Sequence, residues 1–151
     1  SIAVINTADN TFTTIPGIGD QPRAISITPN GAKAYVANTG SNSIAVIDTA
    51  DNTFTTIPGI GLSPVAIAIT PDGTKAYVAN LLGNTVAVIN TANDTFITIP
   101  GIGSAPVAIA ITPDGTKAYV VNEDGDSIAV INTANDTFTT IPGIGNSPRA
   151  I

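Results

Sequence analysis

Asn122-Glu123-Asp124-Gly125-Asp126-Ser127 gathers three carboxylates within four residues around a glycine. Oxygen-rich loops of this kind can hold Ca²⁺, but the twelve-residue spacing of an EF-hand is absent. No other loop of the chain carries such charges, so a solvated acidic turn without a metal is expected. Asp72 and Asp114 each precede a glycine in Pro-Asp-Gly-Thr, where an aspartate bonds its own backbone. Asn30 fills the same place in Pro-Asn-Gly, which a catalytic carboxylate would not permit. His, Cys, Met and Trp are all missing. Their absence removes the usual general base, the commonest metal ligand and the thiolate nucleophile. What remains for catalysis is a set of carboxylates with Arg23 and a bound cofactor. The expectation is therefore a chain that is not an enzyme and needs no cofactor.

Hydrophobic residues make up 43% of the 151 and charged ones only 11%, with Ala, Ile, Thr and Asn prominent, which favours strands and turns over helices. A net charge of −6 repels phosphate backbones and anionic lipid, so nucleic acid is not an expected partner. No apolar run approaches the roughly 18–20 residues of a membrane span, and none is expected. The opening Ser1-Ile2-Ala3-Val4 lacks the basic stretch of a signal peptide, and a secreted chain would already have lost one.

The elements that must position these residues are set by repetition. Phe12, Phe54, Phe96 and Phe138 recur every 42 residues, as do Pro16, Pro58, Pro100 and Pro142, with no insertion between copies. A unit of this length fits a four-stranded blade of about 40–50 residues. Within one unit, Val65-Ala66-Ile67-Ala68-Ile69-Thr70 reads as a first strand and Pro71-Asp72-Gly73-Thr74 as a tight turn. Lys75-Ala76-Tyr77-Val78-Ala79-Asn80, Thr85-Val86-Ala87-Val88-Ile89-Asn90 and Thr95-Phe96-Ile97-Thr98-Ile99 follow as strands two to four. Short antiparallel sheets bury their faces by radial stacking. The expected fold is all-β, a β-propeller of four-stranded antiparallel blades with about 3.5 blades here. Residues 1–19 form a half blade, 22–57, 64–99 and 106–141 complete ones, and 148–151 the start of another.

Tyr35-Val36-Ala37-Asn38, Tyr77-Val78-Ala79-Asn80 and Tyr119-Val120-Val121-Asn122, with the Thr-Pro-Asp-Gly and Ser-Ile-Ala-Val-Ile-Asp-Thr segments, resemble the YVTN β-propeller repeats. The third position of the signature is Ala or Val instead of Thr. The resemblance covers essentially the whole chain. It implies a propeller, commonly seven-bladed, of the kind found in archaeal and bacterial surface-layer or secreted proteins, so a cell-surface or extracellular location is expected.

A residue present in every blade is explained by what every blade needs, so Tyr35, Tyr77, Tyr119 and the phenylalanines read as packing residues, with an aromatic sugar platform as the alternative. Partner information should lie where copies differ. Second-to-third loops read Thr39-Gly40-Ser41-Asn42, Leu81-Leu82-Gly83-Asn84 and Glu123-Asp124-Gly125-Asp126, and fourth-to-first connections differ at Asp20-Gln21, Leu62-Ser63, Ser104-Ala105 and Asn146-Ser147. Both sets belong to one face of the ring, while the opposite face repeats almost unchanged. The candidate binding face is thus Arg23, Thr39, Leu62, Leu81, Leu82, Glu123, Asp124, Asp126, Asn146 and Arg149. Leu81 and Leu82, adjacent in a loop, are expected to be exposed. Two sequons, Asn93-Asp94-Thr95 and Asn135-Asp136-Thr137, fall in third-to-fourth turns.

A binding or scaffold module taking a protein or glycan ligand is the expected function, with a repeat-based lectin as the alternative and an enzyme or enzyme-associated propeller behind both. A seven-bladed ring of this period needs about 294 residues, and closed propellers have at least about four blades. The chain is therefore expected to belong to a longer array or to complete a ring with another copy, most simply as a homodimer of seven or eight blades.

Overall fold

Alternating Val, Ile, Ala and Thr place one row of apolar side chains on each side of a pleated strand, and Gly, Pro and Asx stop each run after four to six residues. The computed structural model describes all residues, Ser1–Ile151, as fourteen strands. These are β1 (Ile2–Ile5), β2 (Phe12–Ile15), β3 (Pro22–Ile27), β4 (Lys33–Asn38), β5 (Ser43–Asp48), β6 (Phe54–Pro58) and β7 (Pro64–Ile69). They continue as β8 (Lys75–Asn80), β9 (Thr85–Asn90), β10 (Thr95–Pro100), β11 (Pro106–Ile111), β12 (Lys117–Asn122), β13 (Ser127–Asn132) and β14 (Thr137–Pro142). Pairing is antiparallel between sequence neighbours, giving a β1-β2 pair and three four-stranded sheets, β3–β6, β7–β10 and β11–β14.

Thr70 is drawn out of the first strand because its hydroxyl is used by the turn: it donates to Asp72 Oδ1 at 2.6 Å and accepts from the Lys75 amide at 3.0 Å. Each first strand begins with a bulge, as between Pro64 and Ala66, since proline has no amide to give the ladder. Residues 148–151 carry no strand. A first strand forms by pairing with the second strand of its own blade, and no such strand adjoins them.

Successive sheets stack face on face. Tyr35, Ala37, Ile44, Val46 and Ile57 of the first sheet pack on Ala76, Val78, Ala87 and Ile89 of the second. Tyr77, Val86, Val88 and Ile99 repeat the contact on Ala118, Val120, Ala129 and Ile131 of the third. The β1-β2 pair does the same to β4 and β5 through Ile15, Ile2 and Val4. The first strands β3, β7 and β11 lie against one another, as the inner strands of consecutive blades do.

Candidate functional site

The two faces separate as the alternation of strand direction requires. On one, second-to-third loops are hydrogen-bonded to fourth-to-first connections: Thr39 N to Gln21 O at 3.0 Å, Leu81 N to Ser63 O at 2.9 Å and Glu123 N to Ala105 O at 2.9 Å. On the other, the two hairpin turns of each blade are joined, with Thr91 N donating to Thr74 O at 3.1 Å. The variable residues are thus gathered on one face.

Several of them are occupied by the fold. Thr39 Oγ1 donates to Pro64 O of the next blade at 2.7 Å, and Asp126 Oδ1 accepts from Ser147 N at 2.9 Å. Asn42 and Asn84 do for Ser63 N and Ala105 N what Asp126 does for Ser147. Glu123 takes Arg149 in an ion pair of 2.6 Å, while Asp124 stays exposed. Two of the three carboxylates of this loop therefore turn to different partners while Asp124 faces solvent, and no group of three or more His, Cys, Asp or Glu side chains converges on a common point. Arg23 sits at the bulge of β3, exposed beside Ile2 and Ala3, and Asn146 is exposed in the last connection.

The leucines divide. Leu81 is half-buried, a correction to the expectation of two exposed leucines: its amide is pinned to Ser63 O, which lays the residue against the neighbouring connection. Leu82 projects at 71% exposure, and Leu62 joins it at 57%. Gly83 N donates to Leu62 O at 3.2 Å, so the two exposed leucines stand on adjoining stretches of backbone.

Two polar arrangements were not read from the sequence. The first crosses between blades on the opposite face. Lys33 Nζ donates to Asp94 Oδ2 at 2.9 Å and to Thr91 O at 2.8 Å, and Tyr35 OH donates to Asp94 Oδ1 at 2.7 Å. Lys75 and Tyr77 hold Asp136 in the same way, at 2.8 and 2.6 Å. Burial first, and then the bond to the carboxylate, push the Tyr35 and Tyr77 phenols well above their ordinary pKa. A Lys-x-Tyr pair recurring with an Asx in the third-to-fourth turn was the available signal. The second is the last residue of the signature. Asn38, Asn80 and Asn122 are buried, and each donates through Nδ2 to a carbonyl twenty residues earlier, Ile18, Ile60 and Ile102.

Concave surface lies along the outer blade edges. A groove of about 580 Å³ is lined by Thr74, Lys75, Asn90, Thr91, Phe96 and Asp136. A second, of about 620 Å³, is lined mostly by the residues 42 positions on, including Thr116, Lys117, Asn132, Thr133 and Phe138, without a counterpart of Asp136.

No protein-family model matches the chain, and no curated protein does. Solved structures match it well. Kuenenia stuttgartiensis hydrazine synthase is 28% identical with a TM-score of 0.81, over 91% of this chain and 40% of that one. The WD40 repeats of RRP9 align at 18% identity and a TM-score of 0.78, over 86% of this chain and 41% of that one. Streptogramin B lyase aligns at 20% identity and 0.78, over 96% and 49%. The chain spans less than half of each, and its fold is that of β-propeller blades. Both a repeat domain and enzymes appear among these names, so the likeness leaves activity to be argued from the chain's own residues.

Proposed function

We propose that this chain is a non-enzymatic propeller module of the YVTN-repeat kind, displayed at the cell surface or outside the cell, which binds a protein partner through its variable loop face. The exposed pair Leu62 and Leu82 carries this reading. Each leucine gains about 1.5–3 kcal/mol when fully covered, enough for the pair to anchor an otherwise polar surface. A binding role rather than catalysis is supported by where the polar groups go. Asp72, Asp114, Asp94, Asp136 and Asp126 each serve a turn or a joint, and no His or Cys stands beside them. Leu62→Asp with Leu82→Asp should weaken partner capture at least tenfold while circular dichroism stays unchanged. Binding that survives the double substitution in a folded protein excludes this surface.

A glycan-binding reading has one observation in its favour, the groove repeated at the 42-residue period with a half-buried phenyl ring beside amide and hydroxyl groups. A glycan array followed by Phe96→Ala separates the two readings, because only the glycan reading predicts signal at millimolar sugar that this substitution removes.

A further inference from the structure

Asn30 is the only asparagine of the chain that a glycine follows, and Asn30-Gly31 stands where the next two blades carry Asp72-Gly73 and Asp114-Gly115. The pairing has a chemistry of its own. Glycine has no Cβ to shield its backbone nitrogen and turns freely about φ, so this nitrogen reaches the preceding side-chain amide more readily than that of a residue with a side chain. Once it gives up its proton, Gly31 N is a nucleophile toward Asn30 Cγ. A Cγ–N bond forms, Nδ2 leaves as ammonia with the proton that Gly31 gave up, and a five-membered imide results. Water then cleaves one of the two imide C–N bonds. Cleavage at Cγ gives aspartate, and cleavage at the main-chain carbonyl carbon gives isoaspartate.

Water reaches the turn: Asn30 is exposed, as Asp72 is at the same place in a blade flanked on both sides. What the fold withholds is the freedom of Gly31. Its amide donates to Thr28 O at 2.8 Å, and its carbonyl accepts from Thr49 Oγ1 in the third-to-fourth turn. Thr49 N in turn donates to Ala32 O at 3.1 Å. The peptide planes on both sides of Gly31 are thus pinned, and the swing that carries its nitrogen onto Asn30 Cγ breaks at least the first of these bonds. Asn30 Oδ1 is held as well, accepting from Thr28 Oγ1 at 2.7 Å and from Ala32 N at 3.0 Å. The same ties recur at Gly73 with Thr70 and Thr91, and at Gly115 with Thr112 and Thr133. There a carboxylate takes the place of the amide and is a poor electrophile.

We propose that Asn30 is a self-modifying site gated by the β3–β4 hairpin: it converts to aspartate and isoaspartate through open states of this turn, and is protected while Thr28 and Thr49 hold Gly31. The two products part ways in the fold. Aspartate restores the turn of the other blades, where Asp72 Oδ1 accepts from Thr70 Oγ1 at 2.6 Å and from Thr74 N at 3.0 Å. Isoaspartate lengthens the main chain by one carbon and leaves the carboxylate directly on Cα, so the bonds from Thr28 and Ala32 are lost and the hairpin stays loose. Either product adds a negative charge on the face opposite Leu62 and Leu82, so the site is independent of the partner surface proposed above.

The test compares the 151-residue chain, incubated folded at mildly alkaline pH, with the same chain unfolded in guanidinium chloride, following each asparagine by peptide mass spectrometry and isoaspartate by enzymatic methylation. Asn30 should be the first asparagine to convert in the unfolded chain, and should convert about a hundredfold more slowly in the folded one. Thr49→Val releases Gly31 O and should speed conversion in the folded chain about fivefold. Thr91→Val releases Gly73 instead and should leave the Asn30 rate unchanged. Equal rates in the folded and unfolded chains overturn the inference. So does an acceleration by Thr91→Val as large as that by Thr49→Val, which would mean that the whole chain opens rather than this turn. Should Thr49→Val fail to fold, hydrogen exchange of the wild type decides: the Gly31 amide should be protected by the same factor that slows conversion of Asn30, and a mismatch removes the gate.

Discussion

Asn80 gives its amide hydrogen to Ile60 O at 3.1 Å while its own Oδ1 stays buried without a partner, and Asn38 and Asn122 do the same. Asn80 Nδ2 also donates to Thr85 Oγ1 at 3.1 Å, so removing the side chain loses two hydrogen bonds along with one desolvated acceptor, and the effects offset only in part. Asn80→Ala is expected to lower stability by about 1–2 kcal/mol in urea unfolding. Gly61, which packs on that amide, is less forgiving. Its φ is 142° and an added Cβ would lie inside the Asn80 side chain, so Gly61→Ala should cost about 2–4 kcal/mol, more than removing the asparagine itself. The turn aspartates respond to pH. Hydrogen bonds from Thr112 and Thr116 hold Asp114 down to about 2, and those from Thr70 and Thr74 lower Asp72. A carboxyl lowered on folding contributes stability above its unfolded pKa and loses it as pH falls through the folded one, so the loss runs between about pH 4 and 2. Asp72→Asn with Asp114→Asn should lower the melting temperature modestly at pH 7, since an amide such as Asn30 keeps the bonds from the threonine hydroxyl and the turn amide but loses the charge, and should flatten the acid limb. Tyr35 and Tyr77 act in the opposite sense. Their raised pKa contributes stability below pH 10 that is lost above it, and absorbance titration should show both ionising only as the chain unfolds.

The joint between blades combines a wide apolar contact with a small polar clasp. Lys33 and Asp94 are each about one-quarter to one-third exposed, so their ion pair is worth about 0.2–1 kcal/mol. The Tyr35 hydroxyl sits on a buried ring, and depriving it of an acceptor costs about 1–3 kcal/mol. Asp94→Asn, which keeps an acceptor, should then cost much less than Asp94→Ala, and thermal unfolding of the pair measures the difference. Strand order, the hairpin turns and the packing role of Tyr35 and Tyr77 were legible in the sequence because they follow from local alternation and from Pro-Asp-Gly chemistry. The clasp was not, because Lys33 and Asp94 are 61 residues apart and each alone reads as an ordinary surface charge.

In a stacked array each sheet is stabilised by its own ladder and by its neighbours, so local stability varies with position along the stack. The β7–β10 blade is covered on both sides, whereas the β1-β2 pair has two strands and one covered face. Hydrogen exchange should be slowest in β8 and β9 and fastest in β1 and β2, and equal protection throughout would show that the chain opens only as a single unit.

The sequence by itself determined the 42-residue period, the four strands of each blade, the turn types and the sorting of variable loops onto one face, because these depend on side-chain alternation and on backbone preferences within a few residues. It also determined that no His or Cys is present to build common catalytic sites. Only the tertiary structure decided which exposed-looking residues are free. Leu82 projects while Leu81 is half-buried, Glu123 takes Arg149, Thr39 and Asp126 tie neighbouring segments, and Asp94 and Asp136 lock blades together. Each of these outcomes turns on which side chain the stacking of sheets brings within hydrogen-bond reach across 20 to 60 residues, a distance that a repeat pattern specifies only once its blades are packed.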